Sequence, residues 1–183
     1  MNTASPSWLS SARHCPSPNC DDRPAGALID LLVIHNISLP PKQFGGPWIE
    51  DFFLNRLDPS QHPYFQEIHH LRVSAHFLIR RDGEILQFVP MHKRAWHAGE
   101  SCFQGRSRCN DFSIGIELEG ADDIPYTDTQ YQRLAWLSRA IMEACPAICK
   151  ERIAGHQDIA PNRKTDPGPA FDWPRYLSLL EPQ

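Results

Sequence analysis

The stretch Gly155-His156-Gln157-Asp158-Ile159-Ala160-Pro161-Asn162-Arg163-Lys164-Thr165-Asp166-Pro167-Gly168-Pro169 brings an imidazole, a lysine and a carboxylate into one Pro-punctuated segment. A second imidazole, His35, ends the most apolar run of the chain, Leu31-Leu32-Val33-Ile34. Two His and one Asp form the donor set of a hydrolytic zinc site. Three protein ligands leave a coordination position open, as catalytic zinc requires. Neutral imidazoles with a single carboxylate also leave the ion a net positive charge, whereas a thiolate-rich set is usually structural.

Pro167 disfavours helix at Asp166 and so puts it in extended backbone. Residues two apart then point the same way, so Lys164 and Asp166 project into one space with Thr165 turned away. A surface Lys164–Asp166 ion pair fits the same spacing, and the residues alone leave both readings open. Of the nine histidines, His14, His62, His69, His70 and His92 read as surface or hydrogen-bonded structural groups. His76 and His97 read as packed residues that could line a cleft. Helical His-x-x-x-His and His-Glu-x-x-His pairs, Gly-x-Ser-x-Gly and phosphate-binding glycine loops are all absent.

Such groups need rigid elements to aim them. Leu28 to Ile37 is apolar and β-branched, as in a strand buried on both faces. His35 and His156 each stand where a strand gives way to a loop. Pro47 to Phe53 opens a short helix. Leu57 to Leu71 has no clear pattern, and the segment from Asn36 to Leu71 could serve as a lid or an ordered flank. Val73 to Val89 reads as a hairpin around Asp82-Gly83. In Phe112 to Glu119, Phe112, Ile114, Ile116 and Leu118 face one way and Ser113, Gly115, Glu117 and Glu119 the other. Thr127-Asp128-Thr129-Gln130 is a capping box opening a helix that stops near Pro146. Asp172 with Pro174 starts a last helix through Leu180.

At 183 residues the chain is long enough for one domain with a real core. The division expected is an irregular arm over 1–26 and the domain proper over 27–183. A net charge of -4 argues against a nucleic-acid partner. Arg106, Arg108, Arg163 and Lys164 could still hold an anion locally. Met1 to Asp21 has no apolar core of a secretion signal and nothing approaches a membrane span, so the expected location is cytoplasmic. The six cysteines form no Cys-x-x-Cys pair and read as reduced thiols. Their spacings match no common zinc-finger pattern, which counts against a structural zinc protein.

Val33-Ile34-His35-Asn36, Ser74-Ala75-His76-Phe77, Arg94-Ala95-Trp96-His97-Ala98-Gly99, Ile114 to Gly120 and the His156 to Pro169 loop together resemble the type-2 N-acetylmuramoyl-L-alanine amidases. Among these they are most similar to the cytoplasmic members that act on 1,6-anhydro-muropeptides in cell-wall recycling. The likeness runs from His14-Cys15-Pro16-Ser17-Pro18 to Phe171-Asp172-Trp173. It implies a single α/β domain with a mixed central β-sheet flanked by helices and the zinc site at strand ends. It implies zinc on His35, His156 and Asp166, and a catalytic pair Glu117 and Lys164. Relatives often carry Cys at the third ligand, where Asp166 stands here. Gln157 replaces a common Cys beside the second His, which bears only on the pocket wall. The reaction implied is hydrolysis of the amide between the lactyl group of anhydro-N-acetylmuramic acid and L-alanine, by a monomer with no membrane partner. Asn36, Tyr64, Arg72, Trp96 and Arg108 are candidate contacts to sugar, peptide and carboxylates. Glu119 shares the strand face of Glu117, and the resemblance alone selects between them. The alternative is a muropeptide-recognition module that binds without cutting. Such relatives lose a metal ligand, and none is lost here.

Overall fold

The computed structural model describes residues 7–181. In chain order its strands are β1 (Arg13–His14), β2 (Cys20–Asp22), β3 (Leu31–Ile37), β4 (Phe77–Ile79), β5 (Ile85–Gln87), β6 (Lys93–Ala95), β7 (Cys102–Phe103), β8 (Arg106–Ser107), β9 (Ser113–Glu119) and β10 (Ile153–Gly155). The helices are α1 (Trp48–Phe53), α2 (Pro63–Ile68), α3 (Asp128–Ala144), α4 (His156–Ile159) and α5 (Trp173–Leu179).

A mixed sheet runs in the order β1-β5-β4-β9-β3-β10. β3 lies parallel to both β9 and β10, and β9 parallel to β4. β4 and β5 are antiparallel, and β1 adds to β5 in parallel. The central strands are buried because both sides of the sheet are covered: Leu31–Ile34 of β3 and all of β4 are apolar throughout, whereas β9 turns Ser113, Gly115, Glu117 and Glu119 to one side. On one side Leu32, Ile34, Ile114, Ile116, Leu118, Phe77 and Ile79 pack with Leu134, Leu137 and Ile141 of α3 and Tyr176 of α5. On the other, Leu31 and Val33 meet Ala98, Phe112, Ala154 and Ile159. Beside them Leu78 and Leu86 meet Phe52, Phe53 and Phe65 from α1 and α2. The α/β architecture expected from the sequence is the one found.

The capping box also forms as read: Gln130 N donates to Thr127 Oγ1 at 3.1 Å, and Thr127 N donates to Gln130 Oε1 at 3.1 Å. Asp172 caps α5 by accepting from Arg175 N at 2.9 Å. The patternless stretch before Leu71 holds α2, which His62 caps by accepting from Tyr64 N at 3.1 Å.

Several expectations need correction. Residues 1–6 lie outside the described residues, and 7–26 is not irregular throughout: it contributes β1 to the sheet and pairs β2 with β6. These strands are too short and too polar to show a period. β3 begins at Leu31, and Leu28 is exposed. The hairpin pairs only Phe77–Ile79 with Ile85–Gln87, while Val73 to His76 runs outside any strand. Phe112 precedes β9 and turns away from Ile114 to join Leu31 and Val33. The alternation over 113–119 does not separate core from solvent, since all of β9 is buried. β10 ends at Gly155, so a strand does give way at His156 as expected, but into the short helix α4 and not a loop, four residues being too few for a period to register.

Candidate active site

The register of the sheet builds the site. β3 pairs with β9 so that His35 stands beside Glu117. β10 pairs with β3 so that Gly155 lies beside Ile34, and the next residue, His156, is the first of α4. Asp166 arrives on the loop after α4, and backbone groups hold it there. Gln157 N donates to Asp166 O at 2.9 Å. The next carbonyl, Pro167 O, accepts from Tyr126 Oη at 2.7 Å and Asn36 Nδ2 at 3.1 Å. Gly168 takes φ +79° against Asp122, whose Cα would lie 2.3 Å from an added Cβ. Only a glycine gives the loop both that conformation and that closeness.

The expected ligand set converges. His35 Nδ1 lies 3.0 Å from His156 Nδ1 and 3.0 Å from Asp166 Oδ2, and His156 Nδ1 lies 3.1 Å from Asp166 Oδ2. An ion at the usual ~2.0–2.1 Å from each of three tetrahedral donors needs them roughly 3.3 Å apart, so these atoms fit one small cation. Among the described residues this is the group of His, Cys, Asp and Glu able to hold a metal. The six cysteines are all free. His156 Nε2 faces Ala98 O at 3.1 Å. A carbonyl only accepts, so the ring proton sits on Nε2 and the Nδ1 lone pair points at the cluster.

Electrostatics agree with this set. Burial pushes His35 down to about 4, which keeps it neutral and able to ligate. Burial works against the Asp166 charge, but hydrogen bonds with His156 and His35 outweigh it and hold the carboxyl well below the usual range. Burial first, then the neighbouring Asp166 charge, pushes Glu117 well above the usual carboxylate range, and Lys164 opposes the rise. Glu117 Oε2 is buried with no hydrogen-bond partner. A buried polar atom without a partner is expensive unless a ligand supplies one.

Structure separates the two glutamates that the pattern left equivalent. Glu119 accepts from Gly45 N at 2.7 Å and Arg81 N at 3.1 Å, with Arg80 at 3.6 Å. It ties two loops to the sheet. Glu117 instead lines a cavity of about 380 Å³, together with His97, His156, Lys164 and Asp166. The lining also includes the apolar Leu39, Pro41, Phe52, Phe53, Ile68, Leu71 and Val73. The segment expected to be a lid or an ordered flank supplies most of this apolar lining, and its Phe53 and Phe65 are buried in the core.

Of the candidate substrate contacts, Asn36, Tyr64 and Trp96 line this cavity. The Asn36 amide is engaged by Asp122 Oδ1 at 2.8 Å as well as by Pro167 O. Trp96 Nε1 donates to Asp21 Oδ1 at 3.2 Å. Arg72 and Arg108 are not in the lining. Arg72 donates to the carbonyls of His69 and Leu71, and Arg108 pairs with Asp111 at 3.2 Å. The local cations do not form one patch: Arg106 pairs with Asp30 at 2.6 Å, and Arg163 donates to the carbonyls of Ala98 and Glu100. Lys164 alone of those four lines the cavity.

The sequence does not point to Tyr126, and it gives His97 as a packed residue that could line a cleft, which it does, but not as a neighbour of His35. No local signal marks Tyr126. For His97 there was one: Gly115 interrupts a strand, which often means that something approaches its backbone closely.

The family model described as N-acetylmuramoyl-L-alanine amidase matches residues 25–169. The 1,6-anhydro-N-acetylmuramyl-L-alanine amidase AmpD of Escherichia coli (strain K12) is 63% identical over 173 residues, 94% of this chain and 94% of its own length. That of Haemophilus influenzae is 58% identical, with the same coverage of 94% on each side. A crystal structure of a selenomethionine AmpD derivative superposes with a TM-score of 0.92 at 61% identity, covering 95% of this chain and 97% of that one. The E. coli amidase AmiD, solved with anhydro-N-acetylmuramic acid-L-Ala-D-γ-Glu-L-Lys, superposes with a TM-score of 0.61 at 31% identity, covering 86% of this chain and 60% of that one. With three hydrolase-type donors beside a buried carboxyl, and identity this high over nearly the whole length, the chain belongs to the N-acetylmuramoyl-L-alanine amidase family, on its AmpD-type branch.

Proposed function

We propose that the protein is a zinc-dependent amidase that separates the lactyl group of 1,6-anhydro-N-acetylmuramic acid from L-alanine in muropeptides, as a step of cytoplasmic cell-wall recycling. The observation that carries this reading is the convergence of His35 Nδ1, His156 Nδ1 and Asp166 Oδ2 within 3.1 Å beside an unpartnered Glu117 carboxyl. The names of the AmpD relatives and the ligand of the AmiD complex support the choice of substrate.

His35, His156 and Asp166 would hold the zinc. Bound there, it would supply Lewis acidity toward the scissile carbonyl and make water acidic enough to attack at neutral pH. Glu117 takes a proton from the attacking water as its oxygen adds to the carbonyl carbon. It returns a proton to the nitrogen as the C–N bond breaks, leaving a lactyl carboxylate and a free peptide amine. Lys164 offers its ammonium to the oxyanion formed from the carbonyl. Lys164→Ala should therefore lower kcat about 10²–10³-fold with metal content unchanged, as for loss of one oxyanion donor. An unchanged kcat would remove Lys164 from the mechanism. Tyr64 and Trp96 present flat walls to the sugar or the first peptide residues. Arg72 and Arg108 are proposed grips for stem-peptide carboxylates, which requires the peptide to extend beyond the cavity. No described helix is long and apolar enough to cross a membrane.

Anhydro-muropeptide incubated with the protein should release free peptide, read by mass spectrometry. A chelator should stop the release and added zinc restore it. Binding of muropeptide without release, in metal-replete protein, would instead establish a recognition module.

A further inference from the structure

We propose that His97 is a positioning residue for the metal ligand His35: its Nδ1 accepts from His35 Nε2–H and so reserves the Nδ1 lone pair of His35 for the metal. This rests on the metal centre proposed above. His35 Nε2 lies 2.9 Å from His97 Nδ1, and His97 Nε2 lies 3.1 Å from Ser113 Oγ. The two rings meet edge to face, with centroids 5.0 Å apart.

The three groups form a chain with two self-consistent directions. In one, His35 Nδ1–H donates to Asp166, His97 Nδ1–H donates to His35 Nε2, and the Ser113 hydroxyl donates to His97 Nε2. In the other, His35 Nε2–H donates to His97 Nδ1, and His97 Nε2–H donates to Ser113 Oγ. Only the second leaves His35 Nδ1 free of a proton. Ligating imidazoles need such a partner on their other nitrogen to fix tautomer and ring orientation. His156 has Ala98 O in that role, at 3.1 Å. A carbonyl forces one tautomer; the His97 ring provides the matching acceptor for His35 and needs its own acceptor, Ser113, to stay in register.

β9 is built to seat this ring. Ser113, Gly115 and Glu117 follow one another on one face of the strand, opposite Leu31, Val33 and His35 of β3. A Cβ on Gly115 would lie 2.6 Å from both Cγ and Nδ1 of His97. The gap left by that glycine is the space the ring occupies, one step along the face from Glu117. The pattern Ser-x-Gly-x-Glu thus supplies the acceptor for His97, the room for it and the buried carboxyl from a single strand face.

Zinc affinity, measured by competition with a chromophoric chelator, tests the assignment without substrate. His97→Phe keeps a ring but offers no acceptor, and should weaken zinc binding about 10–100-fold, the usual cost of an outer-shell partner. His97→Asn places a carbonyl oxygen near the lost Nδ1 and should recover most of that loss. Ser113→Ala, which removes the acceptor at Nε2, and Gly115→Ala, which fills the space the ring occupies, should weaken zinc in the same direction. Far-UV circular dichroism checks that each variant is folded. Nitrogen-15 spectra of the zinc-loaded parent should show His97 protonated at Nε2. Protonation at Nδ1 overturns the proposal whatever the variants do, as does unchanged zinc affinity in His97→Phe. A parent that takes up no zinc would sink the metal centre itself, a distinct outcome.

Discussion

Glu117→Gln is expected to cost roughly 10²–10⁴-fold in kcat, the range for a lost general base, while zinc content holds and the metal-stripped protein becomes more stable at neutral pH. The catalytic loss follows because an amide cannot take the proton of the attacking water. The gain in stability follows from burial. Glu117 is 9% exposed and its Oε2 has no partner, so the folded state resists ionising it. Its folded pKa stands well above the ordinary 4.5. A raised carboxyl pKa contributes its stability below the unfolded value and loses it as pH rises toward the folded one. The stripped parent should therefore weaken steadily above about pH 4.5, and Gln, neutral throughout, should not. Thermal unfolding under chelation should give matching Tm values near pH 4 and a higher Tm for the variant at pH 8, roughly 2–4 °C for each kcal/mol recovered. Full turnover with zinc bound, or a lower Tm at pH 8, would falsify the assignment. Both outcomes together would show the stability–activity conflict expected of an active-site group.

The second large effect is on the metal. Asp166→Ala should lower zinc affinity by more than the ~10–100-fold typical of an outer-shell partner, and take hydrolysis with it. It removes the only anionic donor and leaves two neutral imidazoles to offset a doubly charged ion. The fold should persist, because the loop is held by backbone groups: Gln157 N on Asp166 O at 2.9 Å, and Tyr126 Oη on Pro167 O at 2.7 Å. Far-UV circular dichroism of the stripped variant should match the parent. Metal analysis after gel filtration should read near zero for the variant. One retained equivalent of zinc, with activity, would remove Asp166 from the ligand set.

The sequence by itself determined the elements with a long enough period and the residue types with the right chemistry. The run Leu31 to Ile34 is apolar throughout because its strand is covered on both sides, and the alternation over 113–119 is long enough to mark a strand even though both of its faces are buried. The capping box at Thr127 is a local arrangement, complete within four residues. Imidazole, carboxylate and lysine in one loop limited the chemistry before any coordinates, and the spacing of Lys164 and Asp166 places both in the cavity with Thr165 outside its lining.

Tertiary structure decided what depends on register and on partners distant in the chain. The groups that distinguish Glu117 from Glu119 lie on other segments: the charges of Asp166 and Lys164 near one, the hydrogen bonds from Gly45 and Arg81 to the other. No pattern within one strand can tell them apart. The same holds for His97, which touches Ser113, Gly115 and His35 only because β9 and β3 are paired in this register. Short elements such as β1, β10 and α4 carry too few residues for a period and are stabilised by what they join. A hydrogen bond or an ion pair forms wherever the fold brings donor and acceptor together, and that meeting is a property of the packed chain, not of any segment of it.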